Sequence, residues 1–196
     1  MGKDYRYYEG MAITSYIIGG IILLAVFAFI GIYNALVRRK NQAEEAWADI
    51  DVQLKRRYDL IPNIVEAVKG YAGHEKGVLE NVTRARTAAM GATSAGEQAQ
   101  AENMLAGTLK TLFAVAENYP DLKANMNFLE LQRELSDTEN KIQSARRFFN
   151  ANVRDYNIAL EAFPSNIIAS MFGFTRKELF DLPDGSPAEN PVAVKF

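Results

Sequence analysis

Side chains that could do chemistry are scarce in this chain of 196 residues, and their spacing argues against most of the reactions they could support. There is no cysteine and one histidine, His74. That inventory excludes a thiolate nucleophile, a disulfide and any site built on two imidazoles. His74-Glu75 begins like the zinc motif H-E-x-x-H, but Val78 stands where the second histidine belongs. A ferritin-type di-iron site needs Glu-x-x-His units on two helices, and Tyr71 occupies the position three before His74. His74 is thus expected at a surface or interface, where its remaining interest is pH sensing. No glycine-rich loop follows a strand pattern, so nucleotide binding has no support. The reading is of a chain without cofactor or metal and without enzymatic activity.

One concentrated polar set remains, "KRRYD", with Lys55, Arg56, Arg57 and Asp59. It reads as a solvated helix face, with the stem of Arg57 packed on its neighbours. In a sharper reading, Arg56 or Arg57 pairs with acids of a neighbouring helix or subunit, such as Glu130 or Glu134. Pro62 follows within the same helical stretch, where a proline removes a donor and clashes with the carbonyl four residues back, at about 3 kcal/mol. The apolar stripe keeps its phase from Ile61 to Ile64/Val65 and Val68. That favours a kinked helix held by its neighbours over a break.

The elements that carry these residues begin with a membrane-length segment. From Met11 to Val37 there is no charged residue, and roughly 20 apolar residues suffice to cross a bilayer core. The preceding "MGKDYRYYEG" is not a basic leader and no A-x-A site follows, so a retained anchor is expected rather than a cleaved signal. Arg38, Arg39 and Lys40 come directly after it. The positive-inside rule then places the N-terminus outside and the bulk of the chain in the cytoplasm, at the inner or plasma membrane. Tyr5, Tyr7 and Tyr8 suit an interfacial aromatic belt. Ser15/Gly19 and Gly31/Ala35 are small pairs that permit close helix packing. With 22 Lys and Arg against 24 Asp and Glu, the net charge of −2 gives no basic footprint for nucleic acid.

Beyond Arg38 the periodicity is helical. Ala43, Trp47, Ile50, Leu54, Ile61, Ile64/Val65 and Val68 form one stripe, continued by Ala72, Leu79, Val82 and Ala89. "MGATSAGEQ" reads as a turn, and a second helix as about Glu97–Asn118. Asp121 is available to cap a third, about Leu122–Phe163 and roughly 60 Å long. Its seam runs Phe128, Leu131, Leu135, Thr138, Ile142, Ala145, Phe149, Asn152, Tyr156 and Leu160, coiled-coil-like with two polar interruptions. Such a helix needs a long antiparallel partner, and Arg38–Met90 supplies it. Pro164 then ends the third helix, Ser165 can cap a short one through Ile167, Ile168, Met171 and Phe172, and Pro183, Pro187 and Pro191 punctuate an extended tail. Phe172, Phe174, Leu179 and Phe180 are too apolar to stay in water.

Three blocks carry a family resemblance: "AWADIDVQLKRRYDLIPNIVEAVKGYAGHE" (46–75), "NFLELQRELSDTENKIQSARRFFNANVRDYN" (127–157) and "FPSNIIASMFGF" (163–174). In order and spacing they resemble the LemA family over about Tyr33 to Phe180. The resemblance implies a bacterial membrane protein with one span and a cytoplasmic bundle of long helices. It implies no catalytic residue.

The expected fold is all-α. It comprises a short external N-terminus (1–10), a transmembrane helix (11–37), an antiparallel bundle of long helices (38–163), and a short helix with an extended tail (164–196). The expected function is a membrane-anchored scaffold that self-associates into a large homo-oligomer; the alternative is an adaptor for other membrane proteins, for example a protease. The expected partners are the chain itself and the lipid bilayer through residues 11–37. Candidate contacts are Arg56, Arg57, Asp59, Pro62, Phe163, Pro164, Ile168, Phe172, Phe174 and Phe180.

Overall fold

A computed structural model describes the backbone of residues 2–180 and the side chains of residues 14–180. Tyr5, Tyr7, Tyr8 and the proline-punctuated tail lie outside the described side chains. Among the described residues six helices follow one another: α1 (Gly2–Tyr71), α2 (Lys76–Met90), α3 (Ala95–Ala116), α4 (Pro120–Lys123), α5 (Met126–Glu161) and α6 (Ser165–Met171). No strand occurs among the described residues, so the fold is all-α as the periodicity requires.

The chain divides into two compact units, to both of which α1 and α5 contribute. One comprises the chain up to Gln42 with Asp155–Arg176; the other comprises Ala43–Arg154 with the chain from Lys177 on. Helix α6 belongs to the first unit, and Phe180 to the second.

The second unit is a helical bundle around one apolar core. Ala43, Ile50, Leu54, Ile61, Ile64 and Val68 of α1 are buried with Leu79 and Val82 of α2, Leu105, Leu109 and Leu112 of α3, and Phe128, Leu135, Ile142 and Phe149 of α5. Helices α1 and α5 run antiparallel here. The Trp47 and Phe149 rings meet at a tilt with centroids 5.2 Å apart, Arg57 meets Glu139, and Tyr71 accepts from Asn125 at the foot of α5. Each advance along α1 is matched by an equal retreat toward the start of α5, and this register is the same on both sides of Pro62. Helix α1 passes through Pro62 without ending.

The helix expected over Arg38–Met90 is interrupted at Ala72–Glu75 instead. A Cβ on Gly73 would lie 3.2 Å from the Lys69 carbonyl. The chain turns there because a glycine lets it close tightly over the last turn of α1. Helix α3 begins with a capping box that the turn-like composition concealed. Ser94 accepts from the Glu97 amide at 3.2 Å, while the Glu97 carboxylate accepts from the Thr93 amide and hydroxyl at 3.0 and 2.8 Å. Those bonds hold the Glu97 carboxyl below its ordinary range, the Thr93 hydroxyl contributing most. Asp121 falls in α4, and it is Asn125 that caps α5, accepting from the Phe128 amide at 3.1 Å.

In the first unit, α1 is bare before it is covered. Every side chain from Thr14 to Gly31 is exposed, and burial starts at Ile32 and Tyr33 and is complete at Leu36. Leu36 shares a small apolar cluster with Ala159 of α5 and Ile168 and Ala169 of α6. Ser165 does not cap α6; its hydroxyl donates back to the Ala159 and Ala162 carbonyls at 2.6 and 2.9 Å.

Candidate functional site

The arginine in the "KRRYD" stretch that matters is Arg57. Helix α1 turns its neighbour Arg56 and the nearby Asp59 to solvent, while Arg57 and Tyr58 point inward on the apolar side. Arg57 is 2 % exposed and Glu102 of α3 is 3 % exposed; they are the two buried charged residues among the described residues, and they form an ion pair. The other arm of the guanidinium reaches Glu139 of α5 at 2.7 Å. Glu130 and Glu134, the acids expected to take this role, are exposed. The heptad position of Glu139, beside the buried Thr138, is what brings it to the seam. Both partners belong to the same chain, so the pairing seen for Arg57 is with neighbouring helices.

Around this pair the polar groups close on one another. The Tyr58 hydroxyl donates to Glu102. Gln98 lies one turn before Glu102 on α3, and its amide nitrogen reaches Tyr58 Oη at 2.9 Å, Glu102 Oε1 at 2.7 Å and the Ala89 carbonyl of α2 at 3.1 Å. Burial pushes the Tyr58 phenol up from its ordinary value, against the opposing pull of the Arg57 charge. Arg57 Nε finds no hydrogen-bond partner among the described residues.

Pro62 belongs to the same construction. It has no N–H, so the Tyr58 carbonyl four residues earlier loses its helical donor. Arg86 of α2 fills that vacancy, its Nε donating to the Tyr58 carbonyl at 2.7 Å. The proline thus frees an acceptor on α1, and an arginine from another helix uses it. Sequence alone could have hinted at this only through an arginine on the apolar flank of α2, which looks like any surface arginine.

The seam's polar interruptions are local. Thr138 Oγ1 donates to the Glu134 carbonyl at 2.8 Å and Asn152 Nδ2 to the Phe148 carbonyl at 2.8 Å, each within α5. On the outer face Lys141 bonds Asp137 at 2.7 Å, holding that carboxyl below its ordinary range, with Arg56 adding to the effect. His74 is exposed.

The C-terminal candidates separate into two groups. Phe180 is fully buried in the second unit, with its ring 5.7 Å from Trp47 and beneath the Arg146 guanidinium at 4.6 Å. The side-chain amide of Asn150 clamps its backbone, accepting from the Phe180 amide at 2.8 Å and donating to its carbonyl at 3.2 Å. Ile168 is buried in the first unit. Phe180 and Ile168 are therefore each packed within their own unit. Phe163, Pro164 and Phe172 are exposed, Phe174 half-buried and Pro62 exposed. Arg38, Arg39 and Lys40 stand on the exposed surface just past Val37, with Arg39 donating to the Asp155 carbonyl at 3.3 Å.

Chemically, a buried guanidinium, two carboxylates, a phenol and an amide bond one another and tie four helices together, with Arg57 Nε left over. Among the described residues no group of three or more acidic or imidazole side chains is arranged to hold a metal.

The sequence pattern of the LemA family matches residues 46–196. Among curated proteins, the chain is similar to the magnetosome protein MamQ of Magnetospirillum gryphiswaldense, 25% identical over 190 residues, covering 82% of this chain and 70% of the relative. A magnetosome protein MamQ of Paramagnetospirillum magneticum matches to the same extent. Protein LemA of Metamycoplasma hominis is 27% identical over 158 residues, covering 79% of this chain and 71% of that protein.

Proposed function

The chain belongs to the LemA family, and from that premise we propose that it is a membrane-anchored, non-enzymatic scaffold whose bundles self-associate on the cytoplasmic side. One observation carries the reading. Arg57 and Glu102, 2–3 % exposed and out of a substrate's reach, are consumed in a polar cluster that ties α1, α2, α3 and α5 together. Such a cluster costs desolvation and returns a fixed arrangement of helices. Fixed geometry is what a repeating assembly requires. The outer face adds a groove of about 500 Å³ between α2 and α3, floored by the small residues Ala85, Ala88 and Gly107, a shape that accepts a neighbouring helix ridge.

The anchor is α1. It contains a window long and apolar enough to cross a membrane, none of it covered by the rest of the chain. Arg38, Arg39 and Lys40 at its end set the cytoplasmic side by the positive-inside rule.

A second reading, an adaptor that recruits another membrane protein, is favoured by a different groove. About 690 Å³ lies open between the end of α1 and α2, lined by Val65 and Leu79, with Lys69, Lys76 and Arg84 set among Glu66 and Glu80. That chemistry suits an amphipathic segment of mixed charge.

Light scattering on the full chain in mild detergent separates the two. The scaffold reading expects one discrete species whose protein mass is a multiple of 21.9 kDa. A mass of one chain at micromolar concentration would contradict it and leave the adaptor.

A further inference from the structure

Apolar residues around α6 remain uncovered where helix burial in the first unit begins. Phe163 is 81 % exposed, Met171 64 %, Ile167 54 % and Phe172 50 %. Ile167 and Met171 are one helical turn apart and share a face. The opposite face of α6, through Ile168 and Ala169, is the one seated on Leu36 and Ala159. A seven-residue helix with apolar residues on both faces has one more surface to cover than its own chain supplies.

Its height along α1 is fixed by contacts. The Phe172 ring lies 5.9 Å from Phe29 and 4.7 Å from Tyr33, and the Phe174 ring 6.0 Å from Tyr33. Gly173, at φ +70°, is the turn that lets both rings reach the same tyrosine. Arg39 bonds Asp155 on α5, and α5 continues past Ala159, which shares the Leu36 cluster, so Phe163 arrives about level with Ile32. All four exposed groups therefore stand beside the stretch Phe29–Leu36. That is where the bare part of α1 ends: from Met11 to Ile30 the helix rises about 30 Å, the thickness of a bilayer's hydrocarbon core. Beyond it, Ile32, Tyr33, Leu36 and Val37 are buried or half-buried by their own chain, while Asn34 and Ala35 stay exposed.

We propose that α6 and its flanking phenylalanines form a collar seated in the membrane interface around the foot of the span, with the headgroup–acyl boundary of the bilayer as its partner. The surface is continuous with the apolar face of the span through the Phe29–Phe172 contact. Its polar margin is cationic: Arg38, Arg39, Lys40 and Arg176 are all exposed in this unit, with Arg176 also paired to Glu161 at 2.8 Å. An amphipathic element with large apolar groups inward and Arg or Lys at the rim is the form that interfacial helices take, and anionic headgroups strengthen it. Tyr33, half-buried between the two phenylalanines, sits at the level that aromatic belts occupy. The inference rests on the reading of α1 as a span.

The absence of cysteine makes the test clean, since each substitution carries a single spin label. Phe163→Cys, Ile167→Cys and Met171→Cys are compared with Leu23→Cys on the span and Lys110→Cys on α3. The full chain is reconstituted in vesicles of phosphatidylcholine with a minor share of phosphatidylglycerol. Collision with oxygen, which concentrates in lipid, is measured against collision with a water-soluble nickel chelate. Intact Trp47 fluorescence establishes that each variant is folded. The collar requires labels at 163, 167 and 171 to shift toward oxygen, as at 23, while 110 stays with nickel. Nickel-dominated labels at the three collar positions with an oxygen-dominated label at 23 would overturn the collar and leave the anchor intact. Labels shielded from both reagents would also overturn it, because a protein would then cover the surface. A nickel-dominated label at 23 would overturn the span and the collar with it.

Discussion

The two units of this chain solve burial in opposite ways. In the Ala43–Arg154 unit even a guanidinium is taken inside and given partners, whereas in the first unit a run of isoleucine, leucine and phenylalanine from Thr14 to Ile30 is left uncovered. Water cannot be the solvent for both arrangements. Leaving that much apolar surface in water costs about 25 cal/mol per Å², while burying an ion pair is tolerable only where close partners offset the lost hydration. The difference shows which helix segments are finished by the chain itself and which are finished by something outside it.

The comparison can be broken most forcefully at the ion pair. Arg57→Ala leaves Glu102 buried and uncompensated, and should cost about 3–5 kcal/mol in the second unit. Urea unfolding followed by the fluorescence of Trp47, the only tryptophan, reads this directly. A loss below about 1 kcal/mol would mean that the pair is open to water. Phe180→Ala should cost about 3–4 kcal/mol by emptying the space beside Trp47, with red-shifted emission in the folded state. Unchanged emission would place Phe180 elsewhere.

Pro62 sharpens the account through a double-mutant cycle. Arg86→Ala should cost about 1–3 kcal/mol, because the Tyr58 carbonyl then has no donor. In a Pro62→Ala background the helix supplies its own donor, so the same substitution should cost clearly less, with a coupling of about 1 kcal/mol. Additive effects would sever the proline from the arginine. Pro62→Ala alone should leave the bundle folded and no less stable.

Smaller still is the pH dependence of Tyr58. Its folded pKa lies above the ordinary value near 10, so its contribution is complete below about pH 10 and is lost as pH rises through the folded value. Tyr58→Phe should flatten the alkaline fall in stability; an unchanged slope would show that the phenol titrates as in the unfolded chain. Smallest should be Phe172→Ala, which lies in the other unit and should move the Trp47 unfolding curve by no more than about 0.5 kcal/mol.

Much of the helical architecture was legible because burial follows period. The stripe from Ala43 through Val68 and the seam from Phe128 to Tyr156 mark the buried faces, and Pro62 was correctly placed inside a helix. What escaped were features set by single polar atoms. Nothing in "KRRYD" distinguishes Arg57 from Arg56 except its phase against Leu54 and Ile61, and that phase cannot name Glu102, which arrives from a different helix. The break at Gly73 was hidden because the stripe continues through Ala72 to Leu79. Phe180 was rightly expected to pack, but the Asn150 clamp that pins it depends on a contact between residues 30 positions apart. What covers Ile32, Tyr33, Leu36 and Val37 was not legible, because their side chains suit lipid and protein equally.

Hydrogen exchange along a urea series, on the full chain in lipid nanodiscs, tests the contrast between the two regions most directly. A segment solvated by lipid should keep its amides protected after the bundle has opened, because backbone groups in the bilayer have no alternative donor or acceptor. The account predicts that amides of residues 14–30 stay protected at urea concentrations where those of Ala43–Arg154 exchange freely. Loss of protection in both regions at the same urea concentration would contradict it, since one solvent would then be sufficient for the whole chain.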